Sequence, residues 1–330
     1  STRNWWDIRK VDQLHLVFLP STINKNLNRA QIQEEKRQLA LLRQALKDHD
    51  WYFCPRSTTC CVTDMTHNLQ HCFQRQQQQE KSSQPHWFDV VPSLHGNHPC
   101  YPERRFFWNE GVLEPLLGHY RHFVELEKAS SETDPTKEEP APPSLLASRW
   151  LLDMAIPVTS AFVGVQQSLQ IDTSANSTTT AYEQLLISRR SRWRAGTRFT
   201  KRGADATGNV ANYAETEQVL FLLNGPDSSC QHVCSHVQTR GSIPLRWSSP
   251  TDIKTYRPRV RIGTDPLAQA RAMRQHLLDE TSRYILDADK DSHQMERKHP
   301  ALVMVNLVDK KSDQGRLGRA MDSVLVAILD

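Results

Sequence analysis

Apolar positions along the chain recur with two different periods, and each period marks a kind of element. After Asn28, the residues Ile32, Leu39, Leu42 and Leu46 are spaced by seven, three and four, which is one face of a helix. Asn28 followed by Gln31 forms a capping-box pattern at its start. Asp265 with Pro266 opens a second helix, whose apolar face is expected to be Leu267, Ala270, Leu277, Leu278 and Ile285. A last helix from about Leu317 carries Ala320, Met321, Val324 and Ile328 on one side, and a short one begins within Asp64 to Gln70. His15 to Leu19, Tyr182 to Ser188, Thr216 to Leu223, Ser235 to Arg240 and Ala301 to Leu307 read as strands. Strands alternating with long helices in the second half point to an α/β arrangement there.

Polar low-complexity stretches divide this pattern. Gln74 to Gln84 reads as a loop tip. Ala129 to Ser144, rich in Pro, Glu and Ser, cannot bury enough apolar surface to offset its ordering entropy and is expected to be disordered. A domain boundary near residue 150 follows, giving 1–150 and 151–330. With 330 residues and 38% hydrophobic content, both parts can hold a core. The formal net charge of +4 is too small to identify a partner, so local clustering has to do so. Seven cysteines without regular spacing look like thiols rather than a disulfide framework. The most apolar stretch, Leu151 to Val165, is interrupted by Asp153 and Pro157 and is too short to span a bilayer. A chain that begins at Ser1 rather than Met reads as an excised segment.

One cluster of charge stands out. Ser188 to Arg202 holds seven basic residues and no acidic one. Read as an extended strand, it puts Arg190, Arg192, Arg194, Arg198 and Arg202 on one face and Trp193, Ala195 and Phe199 on the other, against the core. A turn at Gly203 to Asn209 then returns the chain through Asn212 to Gln218, bringing Glu215 and Glu217 towards the arginines. Two carboxylates cannot neutralise seven cations, and guanidinium groups grip phosphate oxygens bidentately. A cationic wall for an anionic ligand is therefore expected beside the simpler reading, a charge-paired hairpin.

His67, His71 and Cys72 at helical spacing, with Cys60, Cys61, His95, His98 and Cys100 nearby in sequence, lack a Cys-x-x-Cys pair and are read as ordinary residues rather than a metal site.

The stretches SRRSRWRAGTRFTKRG (188–203), GNVANYAETEQ (208–218) and VQTRGSIPLRW (237–247) resemble three successive motifs of the Sac-domain phosphoinositide phosphatases. Weaker likenesses follow in the family's order: TDMTHNLQ at 63–70, RRFFWN at 104–109, IPVTSAFV at 156–163 and VNLVDKK at 305–311. Ala161 and Ser249 depart from the family's usual Gly and Gln.

The resemblance implies an α+β or α/β fold: a β-rich N-terminal subdomain over 1–150, then an incomplete α/β phosphatase subdomain over 151–330. It implies hydrolysis of a phosphate ester on the inositol ring, with phosphatidylinositol 4-phosphate as the default substrate. Phosphoinositide membrane lipids would be the partners, through peripheral association at the cytosolic face of endomembranes, with neither a cofactor nor nucleic acid involved. The nucleophile is a cysteine in a Cys-x5-Arg loop expected downstream of Asp330, so the chain by itself is expected to be inactive. Cys234, six residues before Arg240, matches that spacing, but SHVQT between them has no glycine for an anion-cradling turn. Candidate phosphate-binding residues are Arg190, Arg192, Arg194, Arg198, Lys201 and Arg202, supported by Asn212, Glu215, Glu217, Gln218 and Arg240. The rival from another class is a catalytically inactive phosphoinositide-binding or scaffold module.

Overall fold

Period-two alternation builds most of the sheet. The computed structural model describes residues 8–13, 28–54, 65–71, 102–116, 118, 122, 156–173, 178–196, 201–224, 229–250, 259–284 and 302–329. Six strands pair in sequence order as one antiparallel sheet: β1 (Arg9–Lys10), β2 (Trp51–Phe53), β3 (Thr159–Thr173), β4 (Thr178–Arg190), β5 (Ala214–Asn224) and β6 (Ser229–Arg240). With its helices the fold is mixed α and β, as the sequence implies. On β4 the buried positions are Leu185, Ile187 and Arg189, and on β5, after Ala214 at its start, Glu215, Glu217, Val219, Phe221 and Leu223, so beyond Ala214 each strand turns its odd-numbered residues inward.

The chain divides into two compact units, Ser1–Arg189 with Thr216–Gln238, and Arg190–Glu215 with Thr239–Asp330. The first unit takes strands from both sides of residue 150, because Tyr52 on β2 pairs with Thr159 on β3. Its core joins Tyr52, Met65, Leu69, Leu185, Ile187, Val219 and Phe221. Helix α1 (Arg29–Lys47) starts with the expected capping box: the Asn28 Oδ1 accepts from the Gln31 backbone at 3.0 Å and Gln31 Oε1 from that of Asn28 at 2.9 Å. Its apolar stripe is only half covered, with Leu39 and Leu46 half-buried and Ile32 and Leu42 exposed. The RRFFWN stretch fastens the start of β3. Phe106 and Phe107 are fully buried, Asn109 donates to Ile156 O (2.9 Å) and accepts from Val158 N (2.8 Å), and Thr159 Oγ1 donates to Phe106 O (3.0 Å).

The second unit holds β7 (Trp247–Ser248), β8 (Arg261–Ile262), α2 (Pro266–Tyr284) and α3 (Ser312–Leu329). Leu245, Met273, Leu317 and Met321 form its core, flanked by Ile243, Trp247, Val260, Leu277, Ala320, Val324 and Ile328. The face expected for α3 is thus the one it buries. That of α2 differs. Leu267 and Leu278 are exposed, whereas Gln269, Ala272, Met273 and Glu280 are buried. Gln269 wins an interior place because its amide satisfies three backbone groups: it accepts from Arg246 N (2.7 Å) and donates to Arg246 O (3.0 Å) and Gly263 O (2.9 Å). The N-cap is as read, with Asp265 Oδ1 accepting from Leu267 and Ala268 at 3.0 and 3.2 Å.

The sequence pattern predicts a strand over Ala301 to Leu307, of which residues 302–307 are described. They join no ladder among the described residues, and Val303, Val305 and Leu307 are exposed. An apolar run forms a strand only where a partner strand satisfies its backbone. The strand expected at His15 to Leu19, the loop tip at Gln74 to Gln84, the insert at Ala129 to Ser144, and Cys60, Cys61, Cys72, His95, His98 and Cys100 lie outside the described residues.

Candidate functional site

Strand geometry governs the arginine-rich segment only as far as Arg190, where β4 ends. Residues 191–196 form a turn, and Arg194 adopts a left-handed backbone (φ 49°). The expected continuous strand with an arginine face from 190 to 202 is therefore not formed. Alternation is lost beyond β4, and Trp193 is exposed rather than packed inward.

The turn is held by its own cations and by the segment that returns beside it. Arg190 donates to Gly196 O and, at 3.3 Å, to Asn212 Oδ1. Arg194 donates to Arg202 O at 2.7 Å and Gly203 O at 3.3 Å. Ser191 N donates to Tyr213 O at 3.0 Å, and Asn212 Nδ2 to Lys201 O at 3.1 Å. Asn212 itself is left-handed (φ 57°), a conformation its short polar side chain tolerates.

Two glycines make the close approaches possible. Gly203 (φ 69°) would place a Cβ 2.6 Å from both Leu245 O and Trp247 O, and Gly241 would place one 2.5 Å from Val210 Cγ2. Gly203 N donates to Ser242 Oγ at 2.9 Å and Ser242 N to Ala211 O at 3.0 Å. The three motifs of 188–203, 208–218 and 237–247 are thereby interlocked through their backbones.

Arg190, Arg192, Arg194, Lys201 and Arg202, with Arg240, supply the cations of this region in the second unit. Burial, and after it the charge of Arg240, lower the Arg190 pKa from its ordinary value. Arg192 lies over the Trp193 ring, 4.1 Å from its centroid, and Arg202 over Trp247 at 5.7 Å. Arg198 and Phe199 lie outside the described residues.

The supporting residues separate. Glu215 is buried and accepts from the Tyr284 hydroxyl at 2.5 Å, which in turn lies 3.1 Å from the Tyr213 hydroxyl. Burial first, and then the Glu215 charge, push the Tyr284 pKa far upward, so the phenol stays protonated. Gln218 is half-buried on β5, on the opposite side from Glu217.

Glu217 belongs to the interior of the first unit. Its Oε2 is 2.7 Å from Arg189 Nη1, and the two side chains are 1% and 2% exposed. Its Oε1 accepts from Leu69 N (2.7 Å) and Ser235 Oγ (2.9 Å). Arg189 also donates to Met65 O and His67 O, both at 2.9 Å. This buried ion pair ties 65–69 to two strands of the sheet. Sequence reading passed over Arg189 because it is the odd-numbered arginine among even ones. The inward setting of Leu185 and Ile187 on the same strand was the signal that could have found it.

Cys234 lies within β6, in extended backbone rather than a loop whose amides converge on an anion. Rings of His67 and His71 are 5.9 Å apart, yet no group of three His, Cys, Asp or Glu is arranged to hold a metal among the described residues. No helix among those residues is long and apolar enough to cross a membrane.

The family model of the SacI homology domain matches residues 2–328. Phosphatidylinositol-3-phosphatase SAC1 of Saccharomyces cerevisiae is 29% identical over 250 residues, 74% of this chain and 32% of its own length. Phosphatidylinositide phosphatase SAC2 of Homo sapiens is 26% identical over 326 residues, 93% of this chain and 22% of its own. Phosphoinositide phosphatase SAC6 of Arabidopsis thaliana is 37% identical over 132 residues, 40% of this chain and 18% of its own. The chain spans a third or less of the length of these relatives. With the match running over nearly all of its residues, the chain belongs to the SacI homology domain family.

Proposed function

We propose that this domain binds the phosphorylated headgroup of a phosphoinositide through the cations of the 190–202 stretch of sequence, and that the protein it belongs to hydrolyses a phosphate ester on the inositol ring. Phosphatidylinositol 4-phosphate is the default substrate, and the nucleophile is a cysteine thiolate in a Cys-x5-Arg loop outside these 330 residues. Arg190, Arg192, Arg194, Arg198, Lys201 and Arg202 contact phosphate, with Arg240 completing the cationic edge. Asn212 holds the turn in shape. The protein works as a peripheral protein on the cytosolic face of endomembranes.

The observation that carries this reading is the turn in which Arg190 and Arg194 are held by backbone oxygens, with Arg240 near enough for its charge to act on Arg190, in a chain of the SacI homology family. Preorganised cations bind an anion without a further ordering cost. Because Arg190 and Arg194 also hold the turn, Arg192 and Lys201 are the sharper probes of binding. Each cation near an anionic surface contributes about 1 kcal/mol, so Arg192→Gln with Lys201→Gln should weaken binding to vesicles containing phosphatidylinositol 4-phosphate by about 30-fold. Unchanged affinity in a co-sedimentation assay would remove the turn from the binding site. A catalytically inactive binding module is the second reading, favoured by Cys234 lying in a strand. Phosphate release by the 330-residue chain, assayed across the phosphoinositides, should be nil. Turnover that disappears with Cys234→Ser would overturn the assignment of the nucleophile to a separate loop.

A further inference from the structure

Trp193 is exposed, and its position invites a question about what it meets. Among the described tryptophans, Trp51 is 8% exposed and Trp193 37%. Exposure here does not come from a loose loop. Trp193 N donates to Ser191 Oγ at 3.1 Å, the flanking Ser191 is bound to Tyr213, and Arg190 and Arg194 clamp both sides of the turn. The indole is presented on a fixed backbone with Arg192 at 4.1 Å over its ring, on a stretch of chain that also carries Arg190, Arg194, Lys201 and Arg202. Glu215, the acid in the returning segment of this unit, is buried and hydrogen-bonded to Tyr284.

A rigid aromatic with a cation against it, in a cation-rich stretch, matches one partner chemistry in particular. Tryptophan partitions to the headgroup level of a bilayer, where its apolar body and polar N–H are both satisfied. Cations beside it are drawn to an anionic leaflet. Stable attachment takes two such signals together, and the turn carries both. Nucleic acid suits the site less well. Arg192 already lies over one face of the ring, and a single indole gives no platform for successive bases.

We infer that Trp193 is an interfacial anchor: the 190–196 turn inserts its indole into the headgroup region of an anionic membrane, while Arg192 beside it meets the charged surface. This rests on the reading of the domain as a phosphoinositide binder and adds a contact that is separate from headgroup capture.

The test uses the 330-residue chain with three vesicle types: phosphatidylcholine alone, phosphatidylcholine with phosphatidylserine, and the latter with phosphatidylinositol 4-phosphate. Phosphatidylcholine brominated near the headgroup end of its acyl chains is included in each. Emission of the wild type minus that of Trp193→Phe isolates the Trp193 signal. That signal should be quenched on both anionic vesicles and unchanged on neutral ones. Trp193→Ala should weaken anionic vesicle binding roughly tenfold, with an unchanged thermal midpoint.

Vesicle binding without quenching of Trp193, or with full affinity in Trp193→Ala, overturns the anchor and leaves headgroup binding intact. Quenching that is equal with and without phosphatidylinositol 4-phosphate, at equal affinity, supports the anchor and counts against the phosphoinositide reading. Failure to bind any vesicle, or quenching of Trp193 by a single-stranded oligonucleotide alone, overturns the anchor.

Discussion

Replacing Glu217 with Gln changes one atom in the most buried charged pair described, and the structure sets the size of the effect. The substitution keeps the volume and leaves a carbonyl oxygen able to accept from Leu69 N and Ser235 Oγ, now 2.7 and 2.9 Å from Oε1. The new amide hydrogens then point at Arg189 Nη1, where Oε2 stands at 2.7 Å. Two donors face each other, and the guanidinium keeps its charge without the carboxylate that faced it, while still donating to the carbonyls of Met65 and His67. Orphaning one member of a buried pair costs about 3–5 kcal/mol, a large part of the 5–15 kcal/mol typical of a whole domain.

Arg189→Met should lose a similar amount, because it leaves the carboxylate buried and strips two carbonyls of their donor. The double variant should lose less than the two single losses added together, since no lone charge remains. It should not return to wild-type stability, because the backbone groups at 65–69 still lack partners. Urea unfolding followed by far-ultraviolet circular dichroism measures all three. A loss under about 1 kcal/mol for Glu217→Gln would show that water reaches the pair, and the account of this interior would fail.

Tyr284→Phe removes the donor to the buried Glu215 and should cost about 1–3 kcal/mol in the same assay. Because the folded phenol pKa is raised, wild-type stability from this group is fully present below the unfolded pKa near 10 and falls as pH rises above it. Tyr284→Phe should flatten that alkaline decline, and an identical decline in the variant would refute the assignment. Gly203→Ala sets a methyl 2.6 Å from two carbonyl oxygens at a positive φ, so it should cost more than about 1 kcal/mol and weaken vesicle binding with it. Normal stability and binding in that variant would show that the turn does not need the close approach to Leu245 and Trp247.

The sequence by itself determined those features that depend on neighbours along the chain. The capping box at Asn28 and Gln31, the Asp265 cap, the buried face of α3, and the strands within β4, β5 and β6 all follow from local periodicity and side-chain-to-backbone reach. Family membership was legible in the same way, because three long motifs stand in order.

The tertiary structure decided what depends on partners distant in sequence. Arg189 and Glu217 are 28 positions apart and meet Leu69, 148 positions from Glu217, so no window of sequence displays the buried pair. Gln269 entered the interior over Leu267 because three backbone groups of Arg246 and Gly263 needed its amide. At Trp193 alternation gave the wrong side, since Arg194 turns left-handed and its guanidinium is held by carbonyls at 202 and 203. Period two describes a side chain only while the backbone stays extended, and where it stops is fixed by hydrogen bonds that the folded chain alone brings together.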